Sequence, residues 1–433
     1  MSQIKYSTLL GLLSVLYFYP PDFLGVINSV PLRGTNFLKC VKMIPFAEGL
    51  ETIKRFALPI GTEQVDLFRV LNRTLAEDVF SDISMPPFNK SAMDGYACRK
   101  SDVKNQLQVI EEIPAGSIPT KSIGENQCAR IMTGAMVPEG ADWVIMKEHI
   151  EELGPNLVQC NRETVNSNIC YTGEDIKIGD LVLKKGDVIS PSHIAILASV
   201  GSYNPLVYKI PSVAIISSGD ELVEPNEIPG ISKIRNSNSY QLVAQAKQIG
   251  IDADYLGIVR DDEISVRNML SQALEKYEVI IISGGVSVGD FDLVPKILKE
   301  LNVNICVHGM DVKPGKHLLF GEKENHFVFG MPGNPVSSFV QFEVLVKPFL
   351  KALMGKTDEE HFLYFPISAD YKRKKAYQLI FVPVILTKEG MVQPLEYHGS
   401  AHIHAYTLAH GIMEMPQNCL EFKIGETVCV RPL

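Results

Sequence analysis

The stretch VIIISGGVSVGD, residues 279–290, decides the fold of this chain, because an apolar run ends there in a glycine turn. A short continuous apolar run is typical of a parallel strand that is buried on both faces. Two more glycine turns follow, in VKPGK (residues 312–316) and in FVFGMPGNPVSS (residues 327–338). Glycine lets backbone N–H groups approach a ligand closely, and a helix that follows adds unpaired N–H groups. With Lys313 and Lys316 beside them, the turns predict that the chain binds an anionic small molecule.

These turns lack the standard nucleotide-binding motifs. Residues 283–289 contain neither GxxxxGK[ST] nor GxGxxG, which argues against a P-loop NTPase and a classical dinucleotide-binding fold. A single glycine turn is most simply a tight connection between two elements. Three such turns with lysines and hydroxyls in one unit instead favour an anion site.

Apolar runs and helical patterns alternate between residues 209 and 355, which predicts an α/β domain with a mainly parallel sheet. In such an open sheet, ligands bind beyond the carboxyl ends of the strands. The polar loops SSGDE (217–221) and VRDD (259–262) follow predicted strands and are expected to meet the glycine turns there. The pattern predicts strands at residues 213–216 and 279–282 and helices at residues 239–249, 263–276 and 294–301.

Acidic residues near these strand ends suit Mg²⁺, which takes hard oxygen ligands and commonly bridges carboxylates to phosphates. The alternative is that they cap helices or lie on the solvated surface, and the residue pattern alone does not choose among them. The candidates are Asp220, Glu221, Asp261, Asp290 and Asp292.

The rest of the chain predicts further domains, because 433 residues exceed one ordinary core. Short apolar runs between Gly, Pro and Asn turns predict a β-rich domain at residues 85–170 and a small β domain at residues 356–433. Residues 43–84 and 171–208 are expected to form a linker or helical domain. The expected fold class is therefore multi-domain α/β plus β.

The composition is that of a folded protein, with 46% hydrophobic and 21% charged residues. A net charge of −9 without a long basic stripe argues against broad nucleic-acid binding. The eight cysteines show no CxxC pair and no secreted-scaffold spacing. We therefore expect reduced thiols and a cytoplasmic protein.

The first 42 residues carry an apolar run, LLGLLSVLYFY (residues 9–19), that is similar to the core of a signal peptide. The run is too short to span a bilayer, and two prolines end it without a small-residue cleavage pattern. We expect residues 1–42 to be an extension outside the functional fold, from a start codon assigned too far upstream. A membrane or export signal is the less favoured alternative.

Several polar loops in the β-rich region are, taken singly, most simply structural turns. The most unusual is PFNKSAMDGY (residues 87–96), and residues 131–134 and 172–175 form two others. Near the C-terminus, four histidines suggest zinc, but their spacing fits no standard zinc pattern, so scattered loop histidines are favoured. These histidines are His398, His402, His404 and His410.

Taken together, the motifs closely resemble one family, the molybdopterin molybdenumtransferases of the MoeA and gephyrin E-domain type. The resemblance covers residues 43–433, with the motifs in the family's order, and leaves out residues 1–42. The matching segments are PFNKSAMDGY (87–96), TG (133–134), GED (173–175), SGDEL (218–222), IRNSN (234–238), SGGVSVG (283–289), KPGK (313–316) and PGNPVS (332–337).

The resemblance implies an elongated homodimer with a central molybdopterin-binding α/β domain. It also implies Mg²⁺-dependent insertion of molybdate into adenylylated molybdopterin, which releases AMP and forms molybdenum cofactor. The implied catalytic residues are Asp94, Thr133, Asp175, Glu221 and Lys313. The implied metal ligands are Asp261 and Asp292. The implied substrate-binding residues are Ser218, Gly219, Ser283, Gly284, Gly285, Ser287, Lys316, Pro332, Gly333, Asn334, Ser337 and Ser400.

Within these sets, the resemblance assigns molybdate to Lys313 and Ser400, with Lys316 as a supporting charge, and the pterin and its phosphates to the glycine turns. The loops bearing Asp94, Thr133 and Asp175 are expected to face the α/β domain of a second copy. No nucleic-acid or membrane partner is expected.

Two alternatives stay open, and departures from the family's common pattern at Asn236, Gly309 and Lys374 support the first of them. One is a non-catalytic molybdopterin-binding or scaffold protein, and the other is a molybdopterin adenylyltransferase, which resembles the α/β domain alone. The additional β domains and the Asp94 segment favour insertion over adenylylation. The departures are Asn236 for aspartate, Gly309 for a basic residue, Lys374 or a displaced Arg373 for arginine, and His410 for asparagine.

Overall fold

A computed structural model describes residues 43–163, 165–286, 293–356, 362–396, 399 and 401–433 of the chain. Residues 1–42 lie outside the described part. So do three residues that the sequence assigned to the site, namely Ser287, Asp292 and Ser400, together with Asp290 and His398. Among the described helices, none combines the length and the apolar character that crossing a bilayer requires.

The central sheet has six strands. The strands are β1 Val213–Ser218, β2 Asp254–Val259, β3 Val279–Ser283, β4 Asn304–His308, β5 Leu319–Lys323 and β6 His326–Met331. Their spatial order is β2-β1-β3-β6-β5-β4. The first four in this order are parallel, and β5 and β4 are antiparallel to their neighbours.

Helices cover both faces of this sheet. They are α1 Asn238–Gln248, α2 Glu263–Lys276, α3 Leu293–Glu300, α4 Pro335–Gln341 and α5 Lys347–Leu353, with a π-helical turn at Phe342–Val346. Ile281 of β3 packs in the cluster that includes residues of α1 and α4, whereas Ile280 and Ile282 pack in the cluster that includes residues of α2 and α3. Each fully buried isoleucine contributes about 2 kcal/mol to folding. An unbroken apolar strand is therefore what a doubly covered sheet requires.

The β-rich region contains a second six-stranded sheet. In spatial order its strands are Trp143–Met146, Gly95–Cys98, Gln127–Ile131, Gln106–Ile113, Leu157–Cys160 and Ile150–Gly154. Beside it, Lys90–Ser91 pairs with Ile169–Cys170.

The flanking linker segments are short strand pairs and two helices. The strand pairs are Thr62–Gln64 with Leu206–Tyr208 and Val79–Phe80 with Leu181–Leu183. The helices are Phe46–Lys54 and Pro191–Ser199. Short 3₁₀ turns lie at Leu67–Arg69, Lys100–Asp102, Lys147–His149 and Ile403–Thr407.

The C-terminal residues build a third sheet that draws in two strands from earlier in the chain. Its strands are, in spatial order, Ile44–Pro45, Met310–Lys313, Leu379–Leu386, Gly411–Met415, Thr427–Pro432 and Leu363–Pro366, with Val392–Pro394 added beside Leu379–Leu386. Smaller pairs are Tyr371–Lys372 with Glu421–Phe422 and Leu222–Val223 with Ile234–Arg235.

The strand that ends at Lys313 belongs to this third sheet, although sequence reasoning placed it inside the α/β domain. Val312 pairs with Leu379, and Lys313 pairs with Ile380, in parallel register. The chain leaves β4 at Gly309, whose φ of +89° favours glycine. Lys313 therefore lies where the central domain meets the C-terminal sheet.

Candidate functional site

The loops after β1, β2, β3 and β6 are joined by direct hydrogen bonds. The Ser218 hydroxyl donates to Asp261 Oδ1 at 2.5 Å, and the Asp261 backbone N–H donates to Asp220 Oδ1 at 3.3 Å. The backbone N–H of Gly284 donates to the carbonyl of Met331 at 3.1 Å. The structure thus brings together the loops that were expected to meet at one edge of the sheet. Gly219 and Glu221 lie in the turn that follows Ser218, and Glu221 is exposed.

Asn238, at the start of α1, links two of the predicted substrate-binding loops. Its Nδ2 donates to the hydroxyl of Ser283 and to the carbonyl of Gly333, both at 2.8 Å. Asn238 is buried and was not among the residues assigned from the sequence. Only its place in the IRNSN segment pointed to it.

The first glycine turn requires glycine at Gly284. Its φ is +98°, and a Cβ atom there would overlap the carbonyl oxygen of Ser218. Gly285 follows with a φ of +65°. The two residues therefore let β3 turn closely past the end of β1.

We expect Gly284→Ala to lower the free energy of unfolding by about 2 kcal/mol or more, since both φ and space are wrong for a side chain. Gly333→Ala is the matched control, because a Cβ at Gly333 meets nothing within 4 Å. Denaturant unfolding of both variants measures the difference. Equal unfolding midpoints for the two variants would show that the turn tolerates a side chain.

A cleft of about 410 Å³ lies beside these loops and contains both lysines of the KPGK segment. Its walls come from the central domain and from the C-terminal sheet and its loops. The lining residues are Val312, Lys313, Pro314, Gly315, Lys316, His317, Pro332, Asn334, Ser337, Tyr377, Gln378 and Gly399. Two exposed lysines make this cleft attractive to an oxyanion.

Gln341 of α4 fixes the loop that carries the two lysines. It is fully buried, and its Nε2 donates to the carbonyl of Pro314 at 2.8 Å. A Cβ at Gly315, where φ is +94°, would collide with the Gln341 side chain. The absence of a side chain at Gly315 thus allows Gln341 to reach the loop. Gln341 fixes the loop backbone, while Lys313 and Lys316 stay exposed.

Asp94 and Thr133, which are far apart in sequence, form one cluster in the β-rich region. The backbone N–H and the hydroxyl of Thr133 donate to Asp94 Oδ1 at 2.9 and 2.7 Å. Lys147 Nζ lies 3.1 Å from Asp94 Oδ2. Sequence reasoning missed Lys147, because nothing in the local pattern links it to the Asp94 segment.

These contacts lower the pKa of Asp94 from 3.8 to about 2, with the Thr133 backbone N–H as the largest cause, followed by its hydroxyl and Lys147. Because the pKa of Asp94 is lower in the folded state than in the unfolded state, the ionised carboxylate stabilises the folded protein fully at pH values well above 4. It is lost as the pH falls from about 4 through about 2.

We expect Thr133→Val to raise the pKa of Asp94, because one of the two Thr133 hydrogen bonds is removed. Carboxyl ¹³C NMR titration measures the midpoint in both proteins. Thr172→Val is the control, since that hydroxyl donates to Asn89 instead of Asp94. An unchanged Asp94 midpoint in Thr133→Val would exclude the hydroxyl as a cause.

Asp175 lies in a second exposed loop next to this region. Its backbone N–H donates to the carbonyl of Met85 at 3.1 Å, and Gly173 donates to Pro86 at 3.0 Å. The hydrogen bonds of Asp94 and Thr133 remain within the β-rich region. Among the described residues, those assigned from the sequence therefore fall into three groups. One lies at the strand ends, one in the cleft, and one on or next to the β-rich region.

Asn236, the first of the four departures, belongs to a buried hydrogen-bond network and is not exposed as a metal ligand would be. Asn236 is 1% exposed, and its Oδ1 accepts from the Ser217 hydroxyl at 3.0 Å and from the Ser239 N–H at 3.3 Å. Its Nδ2 donates to the Tyr255 hydroxyl at 2.8 Å, which donates to Glu224 at 2.6 Å. Burial, together with Glu224, raises the pKa of Tyr255, so this hydroxyl keeps its proton. An asparagine side chain suits this position, because the Nδ2 group must donate a hydrogen bond while the Oδ1 atom accepts hydrogen bonds.

The local structure explains two of the other departures. Gly309 has a φ of +89°, a backbone conformation that disfavours a basic side chain or any other side chain there. Arg373 is 7% exposed and donates to the backbone carbonyls of four residues. Arg373 therefore fixes the loop by backbone contacts, while Lys374 is exposed.

The fourth departure, His410, has a structural role, since its Nδ1 accepts from the backbone N–H of Leu386 at 3.0 Å. Within the ranges that the structure describes, no group of three or more His, Cys, Asp and Glu side chains is arranged to hold a metal ion. At the strand ends, the Asp220 carboxylate accepts from the backbone N–H of Asp261, and the Asp261 carboxylate accepts from the Ser218 hydroxyl.

Family models match most of the chain. Residues 44–201 match the MoeA N-terminal region (domain I and II), and residues 367–433 match the MoeA C-terminal region (domain IV). Residues 214–352 match a model described as "Probable molybdopterin binding domain".

Known proteins resemble the chain over nearly its whole length. A molybdopterin molybdenumtransferase of Staphylococcus aureus is 34% identical over 395 residues, which cover 89% of this chain and 94% of that protein. Its counterpart in Staphylococcus epidermidis is also 34% identical, over 89% of this chain and 95% of that protein. A crystal structure of the molybdopterin biosynthesis MoeA protein from Pyrococcus horikoshii aligns with a TM-score of 0.76 at 29% identity, covering 90% of this chain and 100% of that one.

These matches confirm the family resemblance and the expected fold class, with β-rich N-terminal domains, a central α/β domain and a small C-terminal β domain. The chain belongs to the MoeA family of molybdopterin molybdenumtransferases, the transferases of molybdenum cofactor biosynthesis.

Proposed function

We propose that this protein inserts molybdate into adenylylated molybdopterin in a Mg²⁺-dependent reaction that releases AMP and forms molybdenum cofactor. The observation that carries the proposal is the lysine-lined cleft beside the interlocked strand-end loops. The cleft offers an oxyanion site, and the loops offer glycine-rich backbone and carboxylates for phosphates and their counter-ion.

In this proposal, Lys313 contacts molybdate in the cleft, and Lys316 adds a supporting charge. Both lysines are exposed, and Gln341 fixes the loop between them. Ser400, the expected second contact, lies outside the described residues, but its neighbour Gly399 lines the same cleft. Charge-assisted hydrogen bonds from a fixed lysine suit a tetrahedral oxyanion.

The strand-end loops fit a magnesium ion that is shared with substrate phosphates. Asp261 and Asp220 present hard oxygen atoms on adjacent loops, and the Ser218 hydroxyl engages only Oδ1 of Asp261. Mg²⁺ is commonly held by one or two carboxylates plus substrate phosphates, so a larger protein cage is not required. Asp292, the second proposed ligand, lies outside the described residues. When bound, the ion supplies charge neutralisation at the phosphoanhydride.

The chain's own residues act by binding and orientation. The loops of Ser218–Gly219, Ser283–Gly285 and Pro332–Asn334 are proposed to seat the pterin and its phosphates, with Ser337 at the cleft wall. Asn238 keeps two of these loops at a fixed separation. Glu221 extends from the turn after Ser218 and is proposed to act on the same substrate. No covalent nucleophile is needed, since positioning and electrostatics account for the chemistry.

A homodimer completes this proposal. Asp94, Thr133 and Asp175 are exposed or partly exposed on the β-rich region, and we place them against the α/β domain of a second copy. We further place the protein in the cytoplasm, with no nucleic-acid or membrane partner. Six of the described cysteines are free thiols, which accords with a reducing compartment; they are Cys98, Cys128, Cys160, Cys170, Cys306 and Cys419.

Incubation of the purified protein with adenylylated molybdopterin, Mg²⁺ and molybdate tests the proposal. We expect AMP and active cofactor, with loss of both when Mg²⁺ is chelated. Bound pterin without either product would instead identify a binding or scaffold protein. Formation of adenylylated molybdopterin from ATP and free molybdopterin would identify an adenylyltransferase.

A further inference from the structure

Tyr377 presents an exposed aromatic ring in the cleft that contains Lys313 and Lys316. The residue is 56% exposed and contributes to the wall of the cleft with its neighbour Gln378. Single exposed aromatic residues are ordinary on protein surfaces, so exposure alone carries no functional meaning. The surroundings of Tyr377 distinguish it.

The backbone on both sides of Tyr377 is fixed by a buried arginine. Arg373 donates to the carbonyl of Ala376 at 3.3 Å and to that of Gln378 at 2.6 Å. The Tyr377 carbonyl itself accepts from Gln417 Nε2 at 2.8 Å. A buried guanidinium is costly unless it is fully hydrogen-bonded, and here it stabilises a loop whose ring stays exposed. A ring on a fixed backbone loses less conformational entropy when a ligand stacks on it.

The charges around the ring favour an anionic ligand with a flat aromatic part. Lys375 Nζ lies 6.0 Å from the centre of the Tyr377 ring, on the limit of a cation–π contact. Lys313 and Lys316 lie in the same cleft and suit phosphate or another oxyanion. Such a cleft could hold the phosphate at the lysines while the tyrosine ring packs on a planar heterocycle.

We infer that Tyr377 is a stacking platform for the planar heteroaromatic ring of a phosphorylated ligand. The inference rests on the proposed function, under which that ring is the pterin or the adenine of the adenylylated substrate. Both rings are flat, and stacking on an aromatic side chain tolerates either of them. Tyr377 is thus a substrate-binding residue that the sequence motifs did not assign.

The test compares Tyr377→Leu and Tyr377→Phe in the full chain. Calorimetric titration with AMP and, separately, with neopterin monophosphate measures the affinity for each ring. We expect Tyr377→Leu to weaken binding of at least one of them about tenfold or more, and Tyr377→Phe to bind as the wild type does. The ligand that loses affinity identifies which ring stacks. Tyr364→Leu is the matched control, because Tyr364 is 67% exposed and lies outside the cleft residues.

Unchanged affinity of Tyr377→Leu for both ligands would overturn the inference, and so would failure of the wild type to bind either one. Circular dichroism and molybdate binding by Tyr377→Leu confirm that the fold and the lysine site are intact. AMP release by the wild type tests the proposed function separately. If the wild type released AMP but Tyr377→Leu bound both ligands with unchanged affinity, the stacking role of Tyr377 would be excluded and the proposed function would stand.

Discussion

Replacement of Asp261 by alanine is expected to reduce AMP release from adenylylated molybdopterin by at least about a hundredfold, as for loss of a group that stabilises developing charge. Asp261 lies in the loop after β2, where its carboxylate accepts from the Ser218 hydroxyl and its backbone N–H donates to Asp220. Its removal takes away the described carboxylate that is best placed for a phosphate-bound Mg²⁺. The rate should be measured at saturating Mg²⁺ and as a function of Mg²⁺ concentration.

Two further variants serve as controls for the loss of turnover in Asp261→Ala. Asp252→Ala removes another exposed carboxylate, which pairs with Lys247 at 3.3 Å, and should leave turnover unchanged. Ser218→Ala keeps the Asp261 carboxylate but removes the hydrogen bond that orients it, so a smaller loss is expected. Turnover by Asp261→Ala at the wild-type rate and with the wild-type Mg²⁺ dependence would remove Asp261 from the metal role.

Replacement of Lys347 by methionine is expected to lower the free energy of unfolding by about 3 kcal/mol, because it leaves a buried carboxylate without its cation. Lys347 Nζ lies 2.7 Å from Glu343 Oε2, and the Glu343 residue is only 7% exposed. Gln245 still donates to the other oxygen of Glu343 at 2.7 Å, which places the effect at the lower end for a buried ion pair. Denaturant unfolding followed by fluorescence measures the change.

The double variant Lys347→Met with Glu343→Met is the control. It replaces both charges with apolar side chains, and we expect it to recover most of the lost stability. Gln245 Nε2 keeps a partner in this variant, since it also donates to the carbonyl of Phe339 at 3.3 Å. If the single variant were as stable as the wild type, the pair would not be a buried ion pair in solution.

Local patterns in the sequence predicted the central fold closely. The helix expected at residues 263–276 is observed as Glu263–Lys276, because Asp262 caps its first turn and apolar residues recur at helical spacing. The apolar run at residues 279–282 forms a strand whose residues are all buried. Both outcomes depend on interactions within a few residues, which a sequence pattern records.

The parts that depend on distant contacts were not predicted. Nothing near Lys313 indicates that its strand pairs with Leu379–Leu386 instead of with the central sheet. Likewise, no local signal links Lys147 to Asp94, or shows that Arg373 fixes the loop around Tyr377. These contacts arise from the packing of separate elements, so local motifs do not record the residues that hold the loops in place.

The most direct measurement is the amount of AMP and of molybdenum-loaded pterin that the purified protein forms from adenylylated molybdopterin, Mg²⁺ and molybdate. We expect both products to accumulate together in equal amounts and neither to form without Mg²⁺. Tight binding of the pterin without AMP and without molybdenum-loaded pterin would show that the protein does not insert molybdate.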